Sequence, residues 1–488
     1  MTHSPFRLAA ALMTSAALAG CAVGPTYVRP SAPLSPTFKE AAGWSPAAPA
    51  DTLDRGDWWT LFNDPALSAL EAKVQVSNQN IVAAEAAYRQ SRATVSEQRA
   101  SLFPTINLNG SGTRSGSGGG GGTLIVNPDG STSGGGASGN ARSTYRASLG
   151  GTWEPDVWGR IRRTIEAAKS NAQASAADLA AARLSAQGEL AADYFGLRAA
   201  DVEIALDKAT VEAYQRSLTI AQNRYNAGVT VKSDVFQAQT QLANAQADLA
   251  GLDQQRANFE HAIAVLVGEA PGNFSLAVAP WTGMVPAIPP AVPSTLLQRR
   301  PDIAAAERRV EAANAQIGVQ TAAYFPTLPL TGSYGFAAGE LGSLFNSSNS
   351  LWSFGASVAE TIFDAGARHA RVSEAKAAHD QAVARYRETV LEALQDVENQ
   401  LAATRVLAEQ STLRQRASTA ADAAEIIVSN QYKSGQVPYT DVVTAQAQAF
   451  AARRAVAQAA AQRQTTAVAL IQSLGGGWKA GTDPKASR

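Results

Sequence analysis

The chain has 488 residues, with 41 Lys and Arg against 41 Asp and Glu, so the formal charge is zero and no basic stripe exists for nucleic acid. Hydrophobic residues make up 45% and charged ones only 17%, against a usual charged share of roughly a quarter, a balance unlike that of a polytopic helical membrane protein. One Cys and four His exclude a Cys/His metal cluster and a disulfide framework, and neither His-Glu-x-x-His nor Gly-x-Ser-x-Gly occurs, so the composition does not describe an enzyme.

Residues 1–20 read as a lipoprotein signal peptide: Arg7, an apolar stretch from Leu8 to Leu18, then small residues. That stretch is shorter than the roughly 20 residues a spanning helix needs. Leu18-Ala19-Gly20-Cys21 resembles the bacterial lipobox, and the chain's single cysteine stands there. Cys21 is therefore expected to carry covalent diacylglycerol and, after cleavage, an N-acyl lipid, with no dissociable cofactor. Ala22 rather than Asp follows it, which favours the outer membrane over retention in the inner one.

Residues 21–56 hold Pro25, Pro30, Pro33, Pro36, Pro46 and Pro49 and predict an extended tether. It ends at Trp58-Trp59, Phe62 and Asp64-Pro65, where an Asp cap and a first-turn proline start a helix.

From here the chain is written twice. Phe103-Pro104-Thr105 recurs 222 residues later as Phe325-Pro326-Thr327, and Tyr225-Asn226-Ala227-Gly228 recurs 207 residues later as Tyr432-Lys433-Ser434-Gly435. The difference places an insertion in the first copy, inside the Gly- and Ser-rich run from Gly110 to Gly139. Gly116, Gly118 and Gly121 match Gly-x-Gly-x-x-Gly there, but no helix opens behind them, so the run reads as a loop and not a phosphate cradle. The first repeat covers 57–270 and the second 294–474, joined by a proline-rich linker at 271–293 and followed by a tail at 475–488 expected to be disordered.

Each repeat predicts a helix, two strands, a very long helix, a turn and a helix. The long helices fall at about 160–225 and 367–432, in stretches that hold no proline. Leu190, Leu197, Ile204, Val211, Leu218 and Tyr225 recur every seven residues. Val235, Ala238, Leu242, Ala245, Leu249 and Leu252 alternate three and four, a coiled-coil seam with Arg256 as its one polar intrusion. A helix over 160–225 would be roughly 100 Å long.

Strands are expected at about 104–113, 143–154, 327–336 and 350–362, each alternating apolar or aromatic residues with small polar ones. That pattern fits lipid on one side and water on the other; it also fits a soluble sheet packed on helices. If the strands span a bilayer, four leave two open edges, so several copies must share one closed barrel. Two, three or four copies would give 8, 12 or 16 strands; an eight-strand interior would be nearly filled by side chains, so a conducting pore favours three or more, and the arithmetic alone does not choose.

The lipobox, Trp58-Trp59-x-x-Phe62, the two Phe-Pro-Thr junctions, and Tyr-x-x-Gly followed by Asp-Val at Tyr225/Gly228/Asp234 and Tyr432/Gly435/Asp441 together resemble the TolC-like outer membrane factor family, in its NodT-type efflux lipoprotein branch. The resemblance covers roughly residues 21–475. It implies an α+β membrane protein: a homotrimer with a long coiled-coil helical barrel in the periplasm and four strands per chain in a shared 12-stranded transmembrane barrel. The implied function is the outer membrane exit duct of a tripartite efflux system, passively conducting small toxic compounds or drugs. The implied partners are a periplasmic adaptor, an inner-membrane pump of the resistance-nodulation-division class and outer membrane lipid. A type I protein secretion duct uses the same parts, and a non-conducting coiled-coil lipoprotein scaffold is the reading of another class.

Gly228 and Gly435 are expected to end the long helices in the left-handed conformation. Asp234 and Asp441 would cap the returning helices. The resemblance gives them a sharper role, in which Asp441 forms an acidic ring at the narrowest aperture and Asp234 bonds to Tyr432. Val437 stands where the family carries an Arg, and Thr444 where some members carry a second acid.

Overall fold

In a computed structural model, the described residues are 22–32, 37–41, 57–116, 125–126, 132–133, 142–281, 283–286 and 300–476. The expected signal peptide, Cys21, most of the Gly-rich insertion, the end of the linker and the tail from 477 lie outside them. The chain divides into two compact units, one of Met1–Val28, Arg92–Ser170 and Glu311–Gln381, the other of Arg29–Ser91, Asn171–Val310 and Ala382–Arg488.

The first unit is built on a sheet of four strands, β1 (Thr105–Ser115), β2 (Arg142–Trp153), β3 (Leu330–Ala338) and β4 (Ser350–Ala356). They lie in sequence order and every pair is antiparallel, so the hairpin of each repeat joins the other through β2 and β3. Register then sorts the side chains, because residues paired across a ladder share a face. Leu108 pairs with Leu149, Leu149 with Tyr334, and Tyr334 with Trp352. The opposite face carries Thr105 against Thr152 and Ser333 against Ser353, with hydroxyl oxygens 2.8 Å apart in both pairs. Arg146 sits on this polar face, opposite Ser111.

Most of the apolar face is open among the described residues: Leu108 is 80% exposed, Trp352 78% and Phe354 73%, while Phe336 at one end of it packs on Phe345, with ring centres 5.5 Å apart. The fourth strand is shorter than the alternation predicts. It stops at Ala356, after which a single bridge joins Thr327 to Ala359, and Ile362 and Phe363 stand exposed with no strand beside them. Among the described residues, no helix is long and apolar enough to cross a membrane.

Both hairpins pass into long helices through the same device. Before α3 (Arg160–Asn226), Asp156 accepts the backbone N–H groups of Ile161 at 2.9 Å and Arg162 at 2.8 Å. Before α6 (Ala367–Lys433), Asp364 accepts the N–H of Arg368 at 3.0 Å and its Nε at 2.8 Å. Each carboxylate satisfies otherwise orphaned N–H groups at the positive end of a helix dipole.

The second unit is helical and is cored on the aromatic segment after the tether. Trp58, Trp59 and Phe62 pack with Leu67, Leu70 and Val74 of α1 (Pro65–Ser77), with Tyr194, Phe195 and Leu197 of α3, and with Ile263 of α4 (Lys232–Leu266). Val397 and Leu401 of α6 and Leu470 of α7 (Tyr439–Ser473) close the cluster. One Asp64 oxygen caps α1 by accepting the N–H groups of Ala66 and Leu67, while the other accepts the Tyr194 hydroxyl at 2.6 Å. Asn78 ends α1 and starts α2 (Gln79–Ala100), accepting the N–H groups of Asn80 and Ile81 and donating to the Leu266 carbonyl.

Arg256 interrupts the seam because it has a buried partner. Its Nε donates to Asp201 at 2.7 Å, and Arg198 donates to the other Asp201 oxygen at 3.0 Å. Arg256 also donates to the Leu276 carbonyl and Arg198 to that of Ala277, so the linker's first residues are bolted to α3 and α4.

Two outcomes follow for stability. Asp201→Ala leaves two guanidinium groups facing a vacated buried site and should cost about 3–5 kcal/mol, read by chemical denaturation of the solubilised protein. Glu71 of α1 is fully buried, its oxygens have no hydrogen-bond partner, and burial pushes its carboxyl up to about 9. The folded chain therefore keeps a proton that the unfolded chain releases, and stability falls as pH rises from about 4.5 to about 9. Glu71→Leu should flatten that decline and stabilise the protein by about 2–5 kcal/mol at pH 8; an unchanged pH–stability profile would refute it.

Candidate functional site

The sequence places its candidate residues at two turns, and the structure gives both turns one geometry. At the end of α3, Gly228 has φ 74° and Val229 N–H reaches back to the Arg224 carbonyl at 2.9 Å. At the end of α6, Gly435 has φ 79° and Gln436 N–H reaches the Gln431 carbonyl at 2.9 Å. These are glycine-ended helix stops of the Schellman kind. A Cβ at either glycine would meet nothing within 4 Å, so the requirement is the backbone angle and not space.

Asp234 and Asp441 do not cap. The caps of α4 and α7 are Val231 and Pro438, neither with a side-chain bond, and the two acids lie in the first turn behind them. There their charge meets the positive end of the helix dipole. Asp234 accepts the hydroxyl of Thr230, four residues earlier. Asp441 is exposed, as are Tyr225 and Thr444.

All four helices contribute to one apolar cluster. Tyr214, Leu218 and Ala221 of α3 pack with Val235, Ala238, Leu242 and Ala245 of α4, with Tyr432 of α6 and with Tyr439 and Val442 of α7. The Tyr432 and Tyr439 rings lie 5.5 Å apart. Val437, where the resemblance implies an Arg, packs on this cluster. Burial pushes the Tyr439 phenol up to about 12 and raises that of Tyr432 against the pull of Arg224. Both phenols stay protonated at neutral pH.

The Asp234–Tyr432 hydrogen bond implied by the resemblance is not formed. Asp234 is engaged by Thr230, and the buried Tyr432 hydroxyl has no hydrogen-bond partner. Arg224 makes the cross-link instead. Its guanidinium carbon lies 4.6 Å from the Tyr432 ring centre and its Nη1 donates to the Tyr432 carbonyl at 3.1 Å. A cation over an aromatic face, bonded to a carbonyl in the last turn of a helix, gains from both the ring quadrupole and the helix dipole. Arg224 carried one signal in the sequence: its repeat equivalent, 207 residues on, is the uncharged Gln431.

Over residues 63–269 and 292–476 the sequence matches the family model described as outer membrane efflux protein. It is 31% identical to the outer membrane protein OprJ of Pseudomonas aeruginosa, over 96% of this chain and 96% of that protein. It is 30% identical to the toluene efflux pump outer membrane protein TtgC of Pseudomonas putida, over 98% of this chain and 96% of that one. The fold superposes on the open-state crystal structure of the MtrE outer membrane channel of Neisseria gonorrhoeae with a TM-score of 0.82 and 28% identity, covering 94% of this chain and 99% of that one.

The Arg224 clamp is measurable in the chain itself. Arg224→Ala should remove about 1–2 kcal/mol of local stability and speed amide exchange over residues 428–436 by about 5- to 30-fold, with the Trp58–Phe62 core unaffected. Arg224→Lys, which lacks a planar face, should recover only part of the protection; equal protection in all three proteins would remove the clamp.

Proposed function

The chain belongs to the outer membrane efflux protein family, and from that membership we propose that three copies form one exit duct, their sheets closing a 12-stranded barrel in the outer membrane and their helix pairs closing a tunnel in the periplasm. The observation that carries this reading is the sheet. Among the described residues its two outer edges, on β1 and β4, are unpaired, and most of its apolar face is exposed. Hydrocarbon offers no water to open edge amides, so such a sheet spans a membrane only when copies complete the barrel. Strands of 11, 12 and 9 residues match the roughly 9–11 needed to cross. Two copies would give about eight strands and a lumen nearly filled by side chains. Three leave a water-filled lumen lined by the polar face of Thr105, Ser148, Arg146 and Ser333.

Transport in this reading is passive. Small toxic compounds or drugs are handed over by a periplasmic adaptor and an inner-membrane pump of the resistance-nodulation-division class, and a wide wet lumen leaves selection to that pump. A relative serving a toluene efflux pump fits cargo of small apolar molecules. Cys21 carries the diacylglycerol and N-acyl lipid. Asp441, exposed in the first turn of α7, supplies the acidic ring: three like charges brought together bind cations and narrow the aperture.

The test is ion conductance of the detergent-extracted oligomer in a planar bilayer, with its mass determined on the same sample. A trimer with small, mostly closed events is expected, and Asp441→Ala should raise conductance severalfold. A monomer, or an oligomer that never conducts, would overturn the duct; unchanged conductance in Asp441→Ala would remove the acidic ring alone.

A further inference from the structure

The first residues after Cys21 are expected from composition to be loose chain, yet those of the first unit are bound at every step. Val23 N–H donates to the Trp158 carbonyl at 3.1 Å. Arg163 returns two bonds, from Nε to the Val23 carbonyl at 3.2 Å and from Nη2 to that of Gly24 at 3.3 Å, while Glu166 holds Arg163 from its far side at 2.8 Å. Asn314 donates to the Pro25 carbonyl at 3.1 Å. Trp158 is itself fixed, stacked on Phe325 at 4.9 Å with Nε1 donating to the Pro326 carbonyl.

Two absent side chains make the room. A Cβ on Gly159 would lie 2.7 Å from the Ala22 Cα, and one on Gly318, within α5 (Pro301–Ala322), would lie 3.0 Å from the Val23 carbonyl oxygen. In the second unit the segment is bound again: the Arg387 guanidinium donates to the Ser31 carbonyl, and the N–H groups of Lys39 and Glu40 donate to the two oxygens of Glu398 at 2.7 and 2.9 Å.

We propose that Gly159, Gly318 and Arg163 are a built cradle for residues 22–25, which holds the lipid-bearing Cys21 where β2 passes into α3, so that the anchor is a depth stop for the protomer's sheet and not a leash. This rests on the reading of Cys21 as lipidated. A free tether of the length of residues 21–56 would let its end wander by about 30 Å. Docking removes that freedom and fixes the chain from the first residue after the acylated cysteine.

The experiment is hydrogen exchange by mass spectrometry on the full mature protein, with palmitate incorporation and the yield of membrane-inserted oligomer measured in the same strains. The Val23 amide, which donates to the Trp158 carbonyl, should exchange at least about tenfold slower than in unstructured chain. Gly318→Leu should erase that protection, because Leu is a better helix former than Gly and α5 itself keeps its fold. Arg163→Ala, which removes two bonds without adding bulk, is the second variant and should weaken protection. Inserted oligomer should fall about threefold in Gly318→Leu with palmitate incorporation unchanged. Fast exchange of the Val23 amide in the parent protein overturns the cradle, and full oligomer yield with the strap released overturns the depth stop. Absence of palmitate from the parent protein, with the Val23 amide still protected, overturns the lipid reading and leaves the cradle standing.

Discussion

Backbone amides left open in hydrocarbon have nowhere to bond, and this constraint organises the first unit of the chain. Four antiparallel strands pair internally through β2 and β3, so the duplicated sequence supplies two hairpins that meet in one sheet. Among the described residues, pairing stops at the outer edges of β1 and β4, and Leu108, Tyr334 and Trp352 stand exposed on one face. A soluble sheet would bury that face; in the proposed barrel it is left for lipid, and the edges for other copies.

Duplication also explains where the two repeats agree and where they part. They agree at the strand-to-helix turns, where Asp156 and Asp364 cap alike, and at the glycine stops of Gly228 and Gly435. Those features serve each repeat's own backbone. They part where one repeat touches the other: Arg224 faces Tyr432, while its counterpart Gln431 makes no matching contact with Tyr225, which is exposed. An interaction between two copies of one motif needs only one of each partner, so the sequence is free to lose its symmetry there.

This division set what was legible in the sequence. Proline-free stretches and heptads place the long helices, which the structure bounds at Arg160–Asn226 and Ala367–Lys433, because helix length and seam are local properties. Period-two alternation places the strands to within a few residues, except at the end of β4. The turns were legible through their glycines for the same local reason. The cross-link between them was not. Thr230 reaches Asp234 from four residues away, and no spacing rule says that Arg224 rather than Asp234 meets Tyr432. The Val23–Gly24–Pro25 strap was equally hidden, since its proline content describes an extended chain but not the groove that Gly159 and Gly318 leave for it. Glu71 occupies an apolar helix face among Leu67, Leu70 and Val74, where sequence alone would expect another aliphatic residue.

Within the second unit, stability is unevenly distributed, and the distribution suits a duct that must open at one end. The cluster around Trp58, Trp59, Phe62, Tyr194 and Phe195 draws on a 3-10 turn and six helices, α1, α2, α3, α4, α6 and α7, among the described residues, and the Asp201 ion pairs beside it are buried. Buried charge of that kind cannot be separated cheaply. The cluster at the helix turns is smaller and rich in Ala and Val, its acids stand near or in solvent, and a single guanidinium joins the two helix ends. Local opening is drawn from regions with few buried apolar contacts. Motion of the turns therefore disturbs a smaller buried cluster and the half-buried Arg224 contact, while the aromatic core holds the helices in register behind them.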